Sequence, residues 1–353
     1  MHKPHIEMNE LDTKKKKSLA NRLLVAGILL VVGVPCIFLG GWFWFAFVSL
    51  ALIVATWEIL HATNKKYHPL VHVVTYISVI SFVYWFLIKY NVQSYRLFEE
   101  LGRADQWEFS LEDHYEALYI SPYGLCVCLG FYVFWGIVRH DFDWHDVTYL
   151  FTMSFLIGIG FQSLLYVRYV SFAVGFNGVS PSAWPVGLER NDPRFLYGQS
   201  VMFLVFVFCA SMLNDAWAYF VGMLFGKHKM APRISPSKTW EGFFGGWILG
   251  AVSSWAIIAI ADANGVAMLP AFRIFGEGSQ WWWSVILALV LPLIGDLGDL
   301  SFSLIKRFYG IKDYSKVLGA HGGILDRADS LTFCAILASI FATFVNGGWD
   351  FFG

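Results

Sequence analysis

The sequence predicts an all-α, polytopic integral membrane protein of about nine transmembrane spans, with its N-terminus in the cytoplasm. Three observations predict it. Of 353 residues, 57% are hydrophobic and only 14% charged, with 33 Phe and 16 Trp, and the mean hydropathy is +0.55. A composition this apolar is outside the range of soluble domains. Apolar stretches of about 20 residues, long enough to cross a bilayer as helices, recur along the chain. The Lys and Arg residues gather in alternate connections between those stretches.

Taken in order, residues 1–20 are a polar arm carrying Lys14 to Lys17. It reads as a topology signal with weak attraction to anionic lipid. No cleavable signal peptide is expected, because the first apolar stretch is long and lacks a small-residue cleavage site. Spans are expected near 21–39, 41–60, 70–90, 118–138, 147–168, 199–224, 243–262, 281–304 and 330–347. With the arm inside, the connections 61–69, 139–146, 225–242 and 305–329 face the same way and, with the arm, hold most of the 25 Lys and Arg. The connection 91–117 carries Glu99, Glu100, Asp105, Glu108, Glu112, Asp113 and Glu116 and is expected to face out. Trp42, Phe43 and Trp44, then Trp281 to Trp283, then Trp349, Phe351 and Phe352 fall at outer ends, as interfacial aromatic belts do. Residues 169–198, with Pro181, Pro185 and Pro193, read as an outer loop, because those prolines interrupt a helix.

Residues 21–198 read as a wall of packing spans, and 199–353 as the catalytic region. The five cysteines lack metal or disulfide spacing and read as small packing residues. His61, His72 and His145 are isolated and read as packed or interfacial.

Three polar blocks stand out in the second half. Asn214 and Asp215 lie inside an apolar span, where a carboxylate is costly and faces a polar cavity or a partner. A structural hydrogen bond is the plainer reading of Asp215. The connection after them supplies Lys227, Lys229, Arg233, Ser235 and Lys238, with Gly222 and Gly226 allowing close approach. In the second block, Asp296 and Asp299 are three residues apart and share a helix face. Two carboxylates there repel unless a cation sits beside them. The third block, Ser303 to Asp329, is the densest. It holds Lys306, Arg307, Lys312, Asp313, Lys316, His321, Gly322, Gly323, Asp326, Arg327 and Asp329. A basic loop that merely fixes topology is its plainer reading.

These blocks resemble the CDP-diacylglycerol synthases (phosphatidate cytidylyltransferases). The resemblance rests on Asn214-Asp215, Gly226-Lys227-x-Lys229, Ser235-Pro236-x-Lys238-Thr239-x-Glu241-Gly242, Gly298-Asp299-Leu300, Ser303, Lys306-Arg307, Lys312-Asp313, His321-Gly322-Gly323 and Asp326-Arg327-x-Asp329. It covers about residues 200 to 335. Ala320 departs from the family's usual Gly before the His.

The resemblance implies CTP and phosphatidate as substrates and Mg²⁺ as cofactor; the distribution of basic residues puts the polar blocks on the cytoplasmic side, and a bacterial inner membrane is expected. A second cation and a homodimer stay open, and no nucleic-acid partner is expected. Asp299, Lys306, Arg307, Asp326 and Arg327 are then expected in catalysis. Asn214, Asp215, Ser235, Lys238, Ser303, Lys312, Asp313, His321, Gly322 and Gly323 are expected to bind substrate. Asp299, Asp326 and Asp329 are expected to hold the metal. Gly322 and Gly323, ahead of a helix N-terminus, would suit a phosphate. The alternatives are a CTP-dependent lipid kinase and a transporter with an intramembrane carboxylate path.

Overall fold

A computed structural model describes residues 27–28, 31–109, 122–173, 193–266, 268, 272–275, 281–319 and 322–347. The N-terminal arm, His321 and the C-terminal Trp349, Phe351 and Phe352 lie outside the described residues. So does most of the proline-rich 169–198 stretch.

After a helical segment at 31–39 the described helices are α1 (Gly41–Ala62), α2 (Pro69–Glu100), α3 (Pro122–Val138), α4 (Trp144–Ala173), α5 (Pro193–Phe225), α6 (Trp240–Ala263), α7 (Trp281–Phe308) and α8 (Leu325–Gly347). Six of them, α1 and α4 to α8, are long and apolar enough to cross a membrane. Shorter apolar stretches occupy 69–85 in α2 and 124–138 in α3. The protein is thus a helical membrane protein, and large apolar side chains such as Phe43, Leu50, Ile77, Phe134 and Leu304 point outward, as lipid-facing residues do.

The structure differs from the sequence reading at two connections. Residues 91–100, expected in a loop, continue α2, whose 32 residues run about 48 Å at 1.5 Å per residue. Residues 169–173 likewise continue α4. Pro193 opens α5, since a first-turn proline lacks only an N–H that has no helical partner.

A two-stranded antiparallel hairpin, β1 (Lys229–Ala231) and β2 (Ser235–Thr239), joins α5 to α6. Thr239 ends β2 in extended backbone and caps α6 by accepting the Gly242 N–H at 3.2 Å. A glycine stripe then brings α6 against α5. A Cβ on Gly242 would meet the Ala218 carbonyl at 2.7 Å, one on Gly246 the Asn214 carbonyl at 2.8 Å, and one on Gly250 the Asn214 Cα at 2.9 Å. Small residues four apart are how membrane helices approach closely. Gly246→Val is therefore expected to push α6 off Asn214 at a cost of about 1–3 kcal/mol. A lowered thermal midpoint of the purified protein checks it.

The same device sets α7 on α8. A Cβ on Gly298 would meet the Asp329 carbonyl at 2.7 Å, and one on Gly295 the Cys334 sulfur at 3.0 Å. α7 ends in a Schellman motif at Gly310 (φ 68°): the Gly310 N–H donates to Arg307 O and the Ile311 N–H to Lys306 O. The chain then returns through 311–324 to α8.

One end of the bundle gathers the connections expected to share a side. Tyr149 of α4 donates to Ile59 O of α1 at 3.0 Å and packs edge-on to Tyr309 at 4.7 Å. Lys65 pairs with Asp146 at 2.8 Å, and Arg307 donates to Ile234 O in the hairpin turn at 3.1 Å.

Candidate active site

The convergence of α5, β2 and α7 makes the first charged centre. The Lys238 ammonium sits 2.7 Å from Asp296 Oδ1 and 2.7 Å from Asp299 Oδ2. Asn214 Nδ2 donates to the other Asp296 oxygen at 3.1 Å. Asp296 is buried and Asp299 is half-buried. One helix face thus carries two carboxylates, as the spacing requires, and a lysine from the hairpin bridges them. Burial alone would lower the Lys238 pKa, but the charges of Asp296 and Asp299 outweigh it and hold the ammonium above its usual range. A cleft of about 280 Å³ opens beside this lysine, lined by Asp215, Tyr219, Met223, Lys238, Thr239 and Asp296 among others.

The second centre is the turn between α7 and α8. Lys306 Nζ lies 2.7 Å from Asp326 Oδ1 and 5.6 Å from the centre of the Tyr314 ring. The other Asp326 oxygen accepts the Tyr314 N–H at 2.8 Å and the Gly323 N–H at 2.9 Å. Gly322 (φ 81°) has no room for a side chain, since its Cβ would lie 2.8 Å from that oxygen. Tyr314 is buried, and its pKa is raised by that burial and by the negative charges of Asp326, Asp329 and Glu58.

Asp329 joins the two centres. It is buried on the first turns of α8, within electrostatic reach of Asp299, Lys306 and Asp215. Its Oδ1 accepts the adjacent Ser330 N–H. Ser303 makes a long 3.4 Å contact to Asp299 Oδ1. Asp215 is open to the cleft and within reach of Lys238, Asp299, Asp296 and Arg327.

Other expected site residues have different positions. Arg307 Nε and Nη1 donate to the carbonyls of Ile234 and Ile311, so this guanidinium ties the hairpin to the signature loop. Ser235 is half-buried at the hairpin register Ala231–Ser235. Lys312 and Asp313 are exposed on the loop, and Arg327 is exposed on the first turn of α8.

The fit to a divalent cation is uneven. Among the described residues, no three Asp, Glu, His or Cys side chains converge into a ready metal centre. Both Asp326 oxygens are engaged by the lysine and the loop amides. Among the described residues, Asp299 Oδ1 has only the weak Ser303 contact, and Asp329 holds only a neighbouring amide. Mg²⁺ asks for one or two carboxylates and takes its other oxygens from water and phosphate. Asp299 and Asp329 keep carboxylate oxygens available for such a role, whereas both Asp326 oxygens are engaged.

The N-terminus of α8 differs from the expected phosphate seat. The Gly323 N–H is taken by Asp326, and the Ile324 and Leu325 N–H groups by Glu58. The anion at this helix end is the protein's own. Sequence reasoning missed Glu58, although a lone Glu in the apolar stretch 41–60 is the signal that marks it.

A bundle of apolar helices with a compact lysine–carboxylate centre at one end defines a polytopic membrane protein built around an internal charged site. The chain belongs to the cytidylyltransferase family, whose model matches residues 20–345. Similar proteins include three named phosphatidate cytidylyltransferase. The one from Staphylococcus saprophyticus is 38% identical over 142 residues, covering 40% of this chain and 49% of the relative. The one from Brucella abortus is 36% identical over 196 residues, covering 54% and 65%. The one from Staphylococcus aureus is 31% identical over 228 residues, covering 63% and 80%. The matched part of this chain thus spans about half of the first relative and just under two thirds of the second.

Proposed function

We propose that the protein is a phosphatidate cytidylyltransferase. A phosphate oxygen of phosphatidate attacks the α-phosphorus of CTP, the bond to the β-phosphate oxygen breaks, and CDP-diacylglycerol and pyrophosphate leave. The observation that carries this reading is the Lys238 bridge between Asp296 and Asp299, beside a cleft and next to Asp329. The nucleophile is already ionised near neutral pH, so the site needs positioning and charge screening more than a strong base. Lys238 from the hairpin and Lys306 from α7 supply fixed positive charge. Arg307 holds the hairpin against the loop, so both lysines are presented together. Mg²⁺, when bound, would neutralise and orient the triphosphate, held by Asp299 and Asp329. Asp215 lines the cleft, and Arg327 lies within electrostatic reach of Asp215.

Purified protein is expected to form a lipid-soluble nucleotide only when CTP, phosphatidate and a divalent cation are all present. Product from CTP and a polyprenol, with none from phosphatidate, would instead identify a lipid kinase.

The reading also places the site on the cytoplasmic face of a bacterial inner membrane, because the basic connections gather at that end. Single-cysteine variants Lys229→Cys and Glu108→Cys are expected to label from opposite sides of sealed vesicles. Labelling from one side would contradict this orientation.

A further inference from the structure

Glu58 is fully buried, one turn before the end of α1. Among the described residues, its two oxygens accept hydrogen bonds from the segment between α7 and α8 and from the first residue of α8. Oδ-type contacts of the kind made by Asp326 are repeated here from a different helix: Oε1 takes the Ser315 hydroxyl at 2.6 Å and the Ile324 N–H at 2.8 Å, and Oε2 takes the Leu325 N–H at 2.8 Å. No Lys or Arg is paired with it among the described residues.

A carboxylate near the C-terminal end of its own helix is placed against that helix's dipole. The same carboxylate at the N-terminus of α8 satisfies amides that have no helical partner. Its residue type is therefore unfavourable for α1 and favourable for α8. Gly323 fits the same arrangement, because a Cβ there would collide with the Glu58 carboxylate. The Gly323 amide is meanwhile held by Asp326 at 2.9 Å. The backbone at 323–325 is thus gripped by two carboxylates, and one of them, Asp326, also holds Lys306.

The end of α1 that carries Glu58 is fixed in turn. Tyr149 donates to Ile59 O, and its ring packs on Tyr309 just beyond α7.

We propose that Glu58 is a positioning residue for the active site: through Ser315, Ile324 and Leu325 it sets the connection whose Tyr314 and Gly323 amides orient Asp326, and Asp326 in turn holds Lys306. The catalytic consequence rests on the nucleotidyl-transfer reading; the loop contact does not.

The test uses the full-length protein in detergent or nanodiscs, with two independent readouts. The first is trypsin cleavage at the exposed Lys312 and Lys316, followed by mass spectrometry without substrate. The second is steady-state turnover. Glu58→Gln keeps the length of the side chain but turns an amide toward N–H donors. It is expected to speed cleavage at these lysines about tenfold and lower kcat roughly 10–100-fold, with KM for phosphatidate within about twofold. Ser315→Ala, which leaves Glu58 in place, is expected to shift both readouts the same way by a smaller factor.

Native cleavage or native kcat in a folded Glu58→Gln protein overturns the proposal. If Glu58→Gln does not fold, Ser315→Ala decides: both readouts unchanged overturns it, and both shifted supports it. If the native protein transfers no cytidylyl group, the cleavage readout still reports the Glu58 contact, so the two failures are separable.

Discussion

Lys238→Met is expected to reduce turnover by about a thousandfold or more, roughly 4 kcal/mol of transition-state stabilisation. The lysine is the direct partner of both Asp296 and Asp299 at 2.7 Å. Without it two carboxylates on one face of α7 repel across a site that, in the proposed reaction, accepts an anionic substrate. Breaking a fully buried pair costs about 3–5 kcal/mol. Lys238 and Asp299 are 21% and 28% exposed on their side chains, so solvent screening reduces the cost to folding. Lys238→Arg is expected to recover stability more than turnover, since a planar fork cannot replace a point charge seated between two acids. Turnover of a folded Lys238→Met protein within tenfold of native would remove this lysine from the chemistry.

The raised pKa of Lys238 fixes the sign of its pH dependence. Its contribution to stability is fully present below the unfolded lysine value of about 10.4, and is lost as pH rises through the higher folded value. A stability loss near neutral pH therefore has another origin.

The second large effect separates two acids to which the resemblance gives the same roles. Asp299→Asn is expected to raise the Mg²⁺ concentration needed for half-maximal turnover at least tenfold and to lower the maximum. Asp326→Asn is expected to lower maximal turnover about a hundredfold or more while leaving the Mg²⁺ requirement within about twofold. The difference follows from geometry: Asp326 is engaged by Lys306, Tyr314 and Gly323, whereas Asp299 keeps an oxygen nearly free. Each change is worth roughly 1.4 kcal/mol per factor of ten. A raised Mg²⁺ requirement in Asp326→Asn would return that acid to the metal.

Much of this was legible in the chain. Apolar stretches of spanning length gave the helices, and the three-residue spacing of Asp296 and Asp299 gave a shared face. The signature residues supplied the family before any packing was known. Other features depended on contacts between segments far apart in sequence. Nothing local to Arg307 says that its partner is the Ile234 carbonyl, 73 residues away. Nothing local to Gly323 says that Glu58 of α1 fills the space a Cβ would need. The amides at 323–325 look like a phosphate seat until the protein's own carboxylates are placed on them. The sequence does not show the length of α2, because residues 91–100 are polar and a helix leaving the membrane has no apolar signal to extend.

The central claim is that the lysine–carboxylate centre transfers a cytidylyl group to a phosphorylated lipid. The most direct measurement follows two labels through one reaction of purified protein with phosphatidate and Mg²⁺. CTP labelled at its α-phosphorus is expected to deliver label to the lipid product, and CTP labelled at its γ-phosphorus to deliver it only to pyrophosphate. Label from the γ-phosphorus in the lipid, with none from the α-phosphorus, would contradict the account.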